Sequence, residues 1–277
     1  SDIRLKKKDK NLQDVVIQAS NEVPNGWEKH GKEFTGLFIG STPNAALCQI
    51  TNPEVLKFYF SKKKNRLKVK AEEPVVIVNN ALGYKIQYQL DSFIYEYNTK
   101  GSSYNGAAFY IEIDTTETQK NIWKANREKA YFGSRLHFMR CYYDSTLDEN
   151  TYTITAIETD PNNGKTTREA INNPYDSSFY GVINGTEKEV LLIGKYLIEY
   201  ADAPMEKSYL EANKYPLSAK EQLSTVELLD GFVINENGFF YEQKTVINSG
   251  YWAWKNLADQ LPYDYWPEEA KTESTTP

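Results

Sequence analysis

Strict alternation between apolar and polar residues in the stretch YKIQYQL, residues 84–90, constrains the fold of this chain more than any other feature. Side chains on a β-strand point alternately to two faces, so the alternation predicts a strand with one buried face. The apolar residues fall on even positions up to Leu90 and on odd positions from Phe93 onward. Because one extra residue produces such a phase change, the sequence predicts a β-bulge near Asp91–Ser92.

Short apolar runs flanked by turn residues predict further strands. The runs VLKFYF and RLKVK enclose a lysine-rich turn at residues 62–65, and several more short runs follow residue 150. Asn-Gly pairs lie between or beside such runs, at positions 105–106, 163–164, 184–185 and 237–238. Asn-Gly suits type I′ turns, in which both central residues need positive φ. Repeated pairs of this kind favour antiparallel hairpins over parallel βαβ units.

Residues 116–147 form a strongly helical block. Thr116 with Gln119 matches a capping box that opens one helix, Gly133 is placed to end it, and Ser134 is placed to cap the next. The sequence therefore predicts two adjacent helices joined by a tight Gly-Ser turn, a helical corner packed on the sheet.

Two shorter helices are predicted on either side of the strand-rich regions. One follows Asn25, the expected cap, and the other lies within GYWAWKNLADQLPYDYW and ends at Pro262. The predicted fold is thus α+β and mainly antiparallel β, rich in hairpins, with a helical corner at about 116–147 and short flanking helices. A single β-rich domain is expected over residues 20–267, followed by a polar, disordered tail at 268–277.

The charge of the chain argues against nucleic-acid binding. Its 38 acidic residues exceed its 32 basic ones and give a net charge of −6, whereas contact with phosphates needs a basic face. Apolar runs such as VLLIGKYLIEY are far shorter than the about 20 residues that span a bilayer, so no transmembrane segment is predicted. Since the chain begins with Ser1 rather than Met, it is interpreted as a processed or truncated piece, and the missing signal peptide proves nothing.

Cysteine and histidine usage predicts neither a metal site nor a cofactor. Cys48 and Cys141 have neither the spacing of a metal site nor that of a redox pair. Their apolar surroundings are typical of buried thiols, and a disulfide between them stays open as an alternative. The two histidines, His30 and His137, lie outside any HExxH motif and are interpreted as packing residues.

The helical corner holds a serine three residues before a histidine, Ser134 and His137, which suggests a nucleophile with its base. A cap serine, however, uses its oxygen on the amide of residue 136 or 137, and the chain contains no GxSxG motif. The cap is therefore the favoured interpretation, and no catalytic residue is predicted. Arg135, His137 and Arg140 remain weak candidates for binding a partner or an anion, with structural ion pairing favoured for the two arginines.

Aromatic residues near the C-terminus supply the other binding candidates, Trp252, Trp254 and Trp266. Such rings can form a stacking platform for sugars or peptides. Together with the nearby leucines, they are interpreted instead as a closing helix packed on the core.

Four blocks of the sequence carry a resemblance to a known family: FIGSTPNAALCQITNPEVLKF, VNNALGYKIQYQLDSF, NREKAYFGSRLHFMR and GYWAWKNLADQLPYDYWP. They resemble the C-terminal domain of an exported Bacteroidota family whose members carry a carboxypeptidase regulatory-like domain. The opening stretch IRLKKKDKNLQDVVIQ resembles the exit strand and linker of that N-terminal, transthyretin-like β-sandwich. Residues 1–19 are accordingly expected to belong to a truncated copy of it.

The resemblance implies an extracytoplasmic location, in the periplasm or associated with the outer membrane, and a domain of unknown function. It does not imply peptidase activity, because the regulatory-like domain is an accessory fold without a zinc site. Cys141–Tyr142 and Thr151–Tyr152 stand where the family pattern has a small residue with leucine and a Gly-Phe pair. The resemblance therefore assigns no fixed function to the helical corner.

The predicted function is non-catalytic: an exported binding or assembly module that works with protein partners at the outer membrane. Two alternatives stay open, a glycan- or peptide-binding accessory protein and a carboxylate-based hydrolase, since 38 acidic residues allow too many pairs to select one. An exposed strand edge or a large apolar patch favours a protein partner, coplanar exposed rings favour a glycan, and a cleft with two facing carboxylates favours a hydrolase.

Overall fold

The computed structural model describes residues 21–268 of the chain. All strand pairs in this range are antiparallel, and most of the helices are short. The predicted α+β, mainly antiparallel fold is therefore confirmed. The exit strand predicted at residues 1–19 lies outside the described residues, as does the predicted tail beyond Glu268.

The described part of the chain divides into two compact units. The first consists of residues 21–39, Cys48–Asn79 and Tyr84–Ile113, and the second of Gly40–Leu47, Asn80–Gly83 and residues 114–268. The single domain expected over residues 20–267 stays a prediction.

The first unit combines one helix with a six-stranded sheet. The helix is α1 (Gly26–Phe38), and the strands are β1 (Cys48–Ile50), β2 (Leu56–Ser61), β3 (Arg66–Ala71), β4 (Val75–Asn79), β5 (Tyr84–Glu96) and β6 (Gly101–Glu112). The strand order is β1-β4-β5-β3-β2, and β6 pairs with β5. Strand β4 pairs with the first half of β5 and β3 with its second half, while β6 pairs along the whole of its other side. The lysine-rich turn joins β2 to β3 as the predicted hairpin.

Helix α1 packs on this sheet through aromatic rings. Phe34 meets Phe93 edge to face at 5.0 Å, and Phe38 meets Tyr88 in the same way at 5.1 Å. Such contacts bury large apolar areas and fix the angle of the helix on the sheet. Asn25 does not act as the expected side-chain cap: its φ of 54° is left-handed instead of extended, and its side chain makes no capping hydrogen bond.

The predicted bulge in β5 is confirmed. Leu90 pairs with Gly106 and Ser92 pairs with Asn105, which leaves Asp91 as the extra residue. The interpretation of Asn105–Gly106 as a hairpin turn is wrong, because both residues lie inside β6. The two strands approach so closely here that a Cβ at position 106 would lie 2.1 Å from the carbonyl oxygen of Gln89. The site therefore requires glycine for space and not for turning the chain.

The second unit contains four helices and two antiparallel sheets. The helices are α2 (Glu117–Tyr131), α3 (Arg135–Asp144), α4 (Lys207–Asn213) and α5 (Tyr251–Trp254). One sheet has the order β14-β12-β11-β7-β8 and consists of β7 (Tyr152–Thr159), β8 (Thr166–Ala170), β11 (Gly194–Tyr200), β12 (Gln222–Leu228) and β14 (Val246–Gly250). The other has the order β13-β10-β9 and consists of β9 (Tyr180–Val182), β10 (Glu187–Val190) and β13 (Phe232–Asn235). Inward side chains of α3 and of both sheets form one apolar cluster, the core of this unit.

The helical corner forms as the sequence predicts. The Thr116 hydroxyl oxygen accepts the amide of Gln119 at 3.4 Å, and the Ser134 oxygen accepts the amide of His137 at 3.1 Å. Gly133 has a φ of 74° between the two helices, a left-handed conformation that glycine adopts without steric strain. The hydrogen bond to the amide of His137 engages the Ser134 oxygen, so the cap interpretation of this residue is confirmed.

The later Asn-Gly pairs join antiparallel strands, but in another turn type than expected. Asn163–Gly164 connects β7 to β8, and Asn184–Gly185 connects β9 to β10. Positive φ occurs at Gly164 and Gly238, whereas the preceding asparagines keep negative φ. A type I′ turn needs both, so the hairpins are confirmed and the turn type is wrong.

The C-terminal segment is less helical than expected. Helix α5 has only four residues, and a separate 3₁₀ turn follows at Leu257–Asp259. Lys255 and the extended Asn256 interrupt the helix, so the prediction of one helix that ends at Pro262 is wrong.

Candidate functional site

His137, one of the candidate binding residues, lies in the interior of the second unit with only 4% of its surface exposed. Its Nδ1 accepts the Gly133 amide at 3.3 Å and lies 3.0 Å from the Tyr152 hydroxyl. Burial lowers its pKa from 6.5 to about 4, although a hydrogen bond with the Asn150 side chain acts in the opposite direction. The imidazole is therefore uncharged at neutral pH, and its geometry is that of a hydrogen-bonded packing residue.

Arg140 is a fully buried cation, only 1% exposed. Its guanidinium donates to three backbone carbonyls: from Nε to Asn237 at 3.1 Å, and from the two terminal nitrogens to Tyr265 at 2.7 Å and Tyr263 at 2.9 Å. The ring of Trp266 stacks on it, with its centre 3.7 Å from the guanidinium carbon. Arg140 thus connects the C-terminal segment to α3 through carbonyl oxygens, and not through the ion pair that the sequence favours.

Arg135, on the first turn of the same helix, makes a weaker contact. Its guanidinium carbon lies 5.3 Å from the centre of the Phe240 ring, within the range of a cation–π interaction. The side chain is only partly buried. The structure therefore places Arg135 and Arg140 in different environments, one at the surface of the corner and one beneath it.

The candidate tryptophans make internal contacts. Trp252 is 8% exposed, donates from its indole nitrogen to the Gly133 carbonyl at 2.7 Å, and packs on Phe138. Trp254 stacks on Tyr251 with ring centres 5.6 Å apart, and Trp266 covers the Arg140 guanidinium. The three rings therefore belong to the packing of the second unit, and they do not form one coplanar exposed platform.

Two charged residues of the C-terminal segment are shielded from water: Asp259 is 6% exposed, and Lys255 is partly buried. Asp259 accepts hydrogen bonds from Thr42 at 2.7 Å and from Asn44 at 2.8 Å, while burial raises its pKa. Burial lowers the pKa of Lys255, whose nitrogen lies 5.1 Å from the centre of the Tyr251 ring. These contacts hold the loop at 40–47 against the 3₁₀ turn, which is a structural role.

The part of the chain between residues 21 and 268 lacks the side-chain clusters of a metal site. That range contains no group of three or more His, Cys, Asp or Glu side chains that could hold a metal ion. No disulfide joins Cys48 to Cys141, which excludes the bond that the sequence left open. The core of the second unit encloses a cavity of about 20 Å³, lined by apolar side chains such as Phe138, Tyr196 and Trp252. Its volume is that of about one water molecule, too small for a substrate or cofactor.

Strand β6 has the properties of an interaction site. It is 12 residues long, and among the described residues it pairs with β5 alone. In an antiparallel sheet, alternate residues of an edge strand direct their N–H and C=O groups away from the neighbouring strand. An edge of this kind is a template for pairing with another polypeptide.

The other edge strands in residues 21–268 are shorter, between three and six residues. Strand β2, at another edge of the same sheet, is covered: the Val23 amide donates to Phe58 at 2.8 Å, and the Phe60 amide donates to Asn21 at 2.9 Å. Strand β8 carries Arg168 with an adjacent glutamate. Short length, cover and charge are the usual protection of sheet edges. Strand β6 is longer, has a single charged residue at its end, and pairs with no second strand among residues 21–268.

The side chains of β6 also distinguish this strand from the other edge strands. Residues 101–111 contain no charged residue and no proline, and only Glu112 at the end of the strand is acidic. Phe109 is 64% exposed, the highest exposure of any aromatic side chain in the described range, and Ile111 on the same face is 38% exposed. Ala107 and Ala108 are exposed as well. A long, uncharged edge with exposed apolar residues is unusual for a protein that leaves it open.

These residues do not stand out in the sequence, although the uncharged run GAAFYI, residues 106–111, is a signal. The pair Asn105–Gly106 includes the first residue of this run and favours a turn, which conceals a continuous strand. Exposure of Phe109 depends on which strand forms the edge, and that order is not visible in the sequence.

Comparison with family models, with curated proteins and with solved structures gives no match for this chain. In the described residues, no helix is both long enough and apolar enough to cross a membrane.

Proposed function

We propose that this chain is a non-catalytic assembly module that binds protein partners by adding an extended strand to the open edge of β6. The observation that carries the proposal is the 12-residue edge itself, which pairs only with β5 within residues 21–268 and exposes Phe109 and Ile111. Strand addition gives affinity through main-chain hydrogen bonds and specificity through alternate side chains.

Without a partner strand, this edge leaves apolar side chains in contact with water. Water can satisfy its backbone groups, but the apolar side chains beside them remain exposed at a cost of roughly 25 cal/mol for each Å². An added strand covers both at once. The same strand would also remove the risk of uncontrolled aggregation that an open edge brings.

The place of action is part of the same proposal. The family resemblance supports an exported protein that works in the periplasm or at the outer membrane. The glycan-binding alternative has less support, because Trp252, Trp254 and Trp266 make contacts within the second unit.

The test uses two substitutions of matched chemistry. Phe109→Lys places a charge on the β6 edge, whereas Ile122→Lys places one on α2 of the second unit, where Ile122 is 50% exposed. A photo-reactive amino acid at position 111 is activated in native cell envelopes that contain the full chain, and mass spectrometry identifies the crosslinked segment. We expect one defined polypeptide segment to crosslink in the wild type and in the Ile122→Lys variant, and to be lost in Phe109→Lys. Crosslinking that Phe109→Lys leaves unchanged, or no crosslink to any protein, would overturn the proposal.

A further inference from the structure

Building on the proposed function, we infer that the strand added to β6 is the β6 strand of a second copy of this chain. The continuous part of the edge extends from Gly106 to Glu112, which pairs with Tyr84–Leu90 without a change of register. The bulge at Asp91 interrupts the pairing beyond this point and increases the local twist. Seven residues, 106–112, are thus the regular surface on which a partner strand can lie.

This segment is complementary to itself in one antiparallel register. In a two-fold symmetric antiparallel pair, the residue on the axis faces its own equivalent and every other pairing occurs twice, and directly opposite residues lie on the same face of the sheet. With Phe109 opposite Phe109 of the second copy, Ala107 faces Ile111 twice, and all these side chains lie on one face. On the other face, Ala108 lies opposite Tyr110 twice. Each large side chain except the central phenylalanine therefore meets an alanine.

The central pair joins the two most exposed apolar positions of the edge. Two phenylalanine rings on directly opposite positions of neighbouring strands make a favourable aromatic contact. Phe109 is 64% exposed in the single chain and would be partly covered by Phe109 of the second copy.

The charge distribution favours a second copy over a foreign strand. Because residues 101–111 carry no charge, antiparallel self-pairing brings no like charges together. Glu112, the single acidic residue of β6, falls opposite Gly106 of the other copy and not opposite another acid. Lys85, the one cation of β5, lies on the face of Phe109 and Ile111, one strand further from the axis. A foreign partner chosen by electrostatic complementarity would find no charge on this edge to recognise.

Sedimentation equilibrium of the purified full chain over a range of concentrations provides the first test. We expect a monomer–dimer equilibrium in the wild type and in Ile122→Lys. The Phe109→Lys substitution brings two ammonium groups together and removes the aromatic pair, so it should raise the dimer dissociation constant at least about tenfold. A wild type that stays monomeric, or a dimer that Phe109→Lys does not weaken, would refute the inference.

Cysteine crosslinking tests the register. In a Cys48→Ser background, Phe109→Cys should form a covalent dimer by itself, because paired Cα atoms in antiparallel strands lie about 4.5–5.5 Å apart, within reach of a disulfide. Ala107→Cys should crosslink to Ile111→Cys when the two variants are mixed, and not to itself. Efficient self-crosslinking of Ala107→Cys would contradict this register.

The two proposals can fail separately. A monomeric chain whose β6 edge still crosslinks a different protein in envelopes, in a manner that depends on Phe109, would refute the second copy and leave the proposed function standing. A monomeric chain without edge-dependent crosslinks would refute both.

Discussion

Replacement of Arg140 by methionine should destabilise the second unit strongly. Methionine keeps an apolar stem of similar length, but it removes the donors to the carbonyls of Asn237, Tyr263 and Tyr265. Each buried carbonyl that loses its partner costs about 1–3 kcal/mol. The stacking contact with Trp266 is lost as well. Removal of the buried charge offsets part of this loss of stability, because the folded state no longer contains a desolvated guanidinium.

The net expectation is a loss of about 4 kcal/mol in the free energy of unfolding. For a unit of this size, such a loss corresponds to a decrease of about 10 °C in Tm. Urea denaturation followed by tryptophan fluorescence measures it, because the ring of Trp266 lies directly on the substituted side chain.

Arg135→Met is the matched control on the same helix. Its guanidinium makes one cation–π contact with Phe240 at 5.3 Å and is partly exposed, so the expected loss is below about 1 kcal/mol. If Arg140→Met cost no more than Arg135→Met, the carbonyl contacts would not be what fixes the C-terminal segment, and the reasoning would be wrong.

Three further predictions concern other buried or crowded positions. His137 has a pKa of about 4 in the folded state against 6.5 in the unfolded state, so the unfolded state binds more protons between these two pH values. The free energy of unfolding should therefore fall by about 3 kcal/mol as the pH drops from 6.5 to 4. Urea titrations at several pH values should show that His137→Phe reduces this dependence of stability on pH. Burial raises the pKa of the Cys141 thiol to about 12. A thiol reagent should therefore label Cys48 in the native protein and Cys141 only after denaturation. Rapid labelling of both cysteines in the native protein would contradict the buried position of Cys141. Gly106→Ala should lower the free energy of unfolding by about 1–3 kcal/mol and reduce hydrogen-exchange protection in β6, because its Cβ would lie 2.1 Å from the Gln89 oxygen. The control Gly36→Ala in α1, which has open space around it, should leave stability unchanged or increase it.

Features that depend on neighbouring residues could be predicted from the sequence. The caps at Thr116 and Ser134 each involve a hydrogen bond to a residue three positions away, so the pattern is present within one turn of helix. The bulge at Asp91 is visible in the same way, because the alternation of side chains changes phase within one strand. Local geometry determines each of these features, and tertiary contacts do not alter them.

Features that depend on distant segments could not be predicted. Arg140 binds carbonyls 97 to 125 residues further along the chain, and backbone carbonyls have no signature in the side-chain sequence. From the sequence, an arginine at this position favours a structural ion pair, with an anion site as the alternative. The Asn105–Gly106 pair failed for a related reason: the dipeptide suits both a turn and a close strand crossing, and the contact with Gln89 decides between them.

The residues selected from the sequence and the β6 edge differ in the contacts that they make within the protein. Arg140, His137 and Trp252 are functional candidates in the sequence because their side chains can bind or react with a ligand. In the structure, their donors and acceptors form hydrogen bonds with other parts of the same unit. A side chain whose hydrogen bonds hold the fold together cannot exchange them for a partner without a loss of stability. The β6 edge is the reverse case, because the exposed side chains of Phe109 and Ile111 would gain contacts if a strand were added. The surface that can bind at low cost is therefore the one with the least distinctive chemistry, and for this reason we place the function at Phe109 and not at the helical corner.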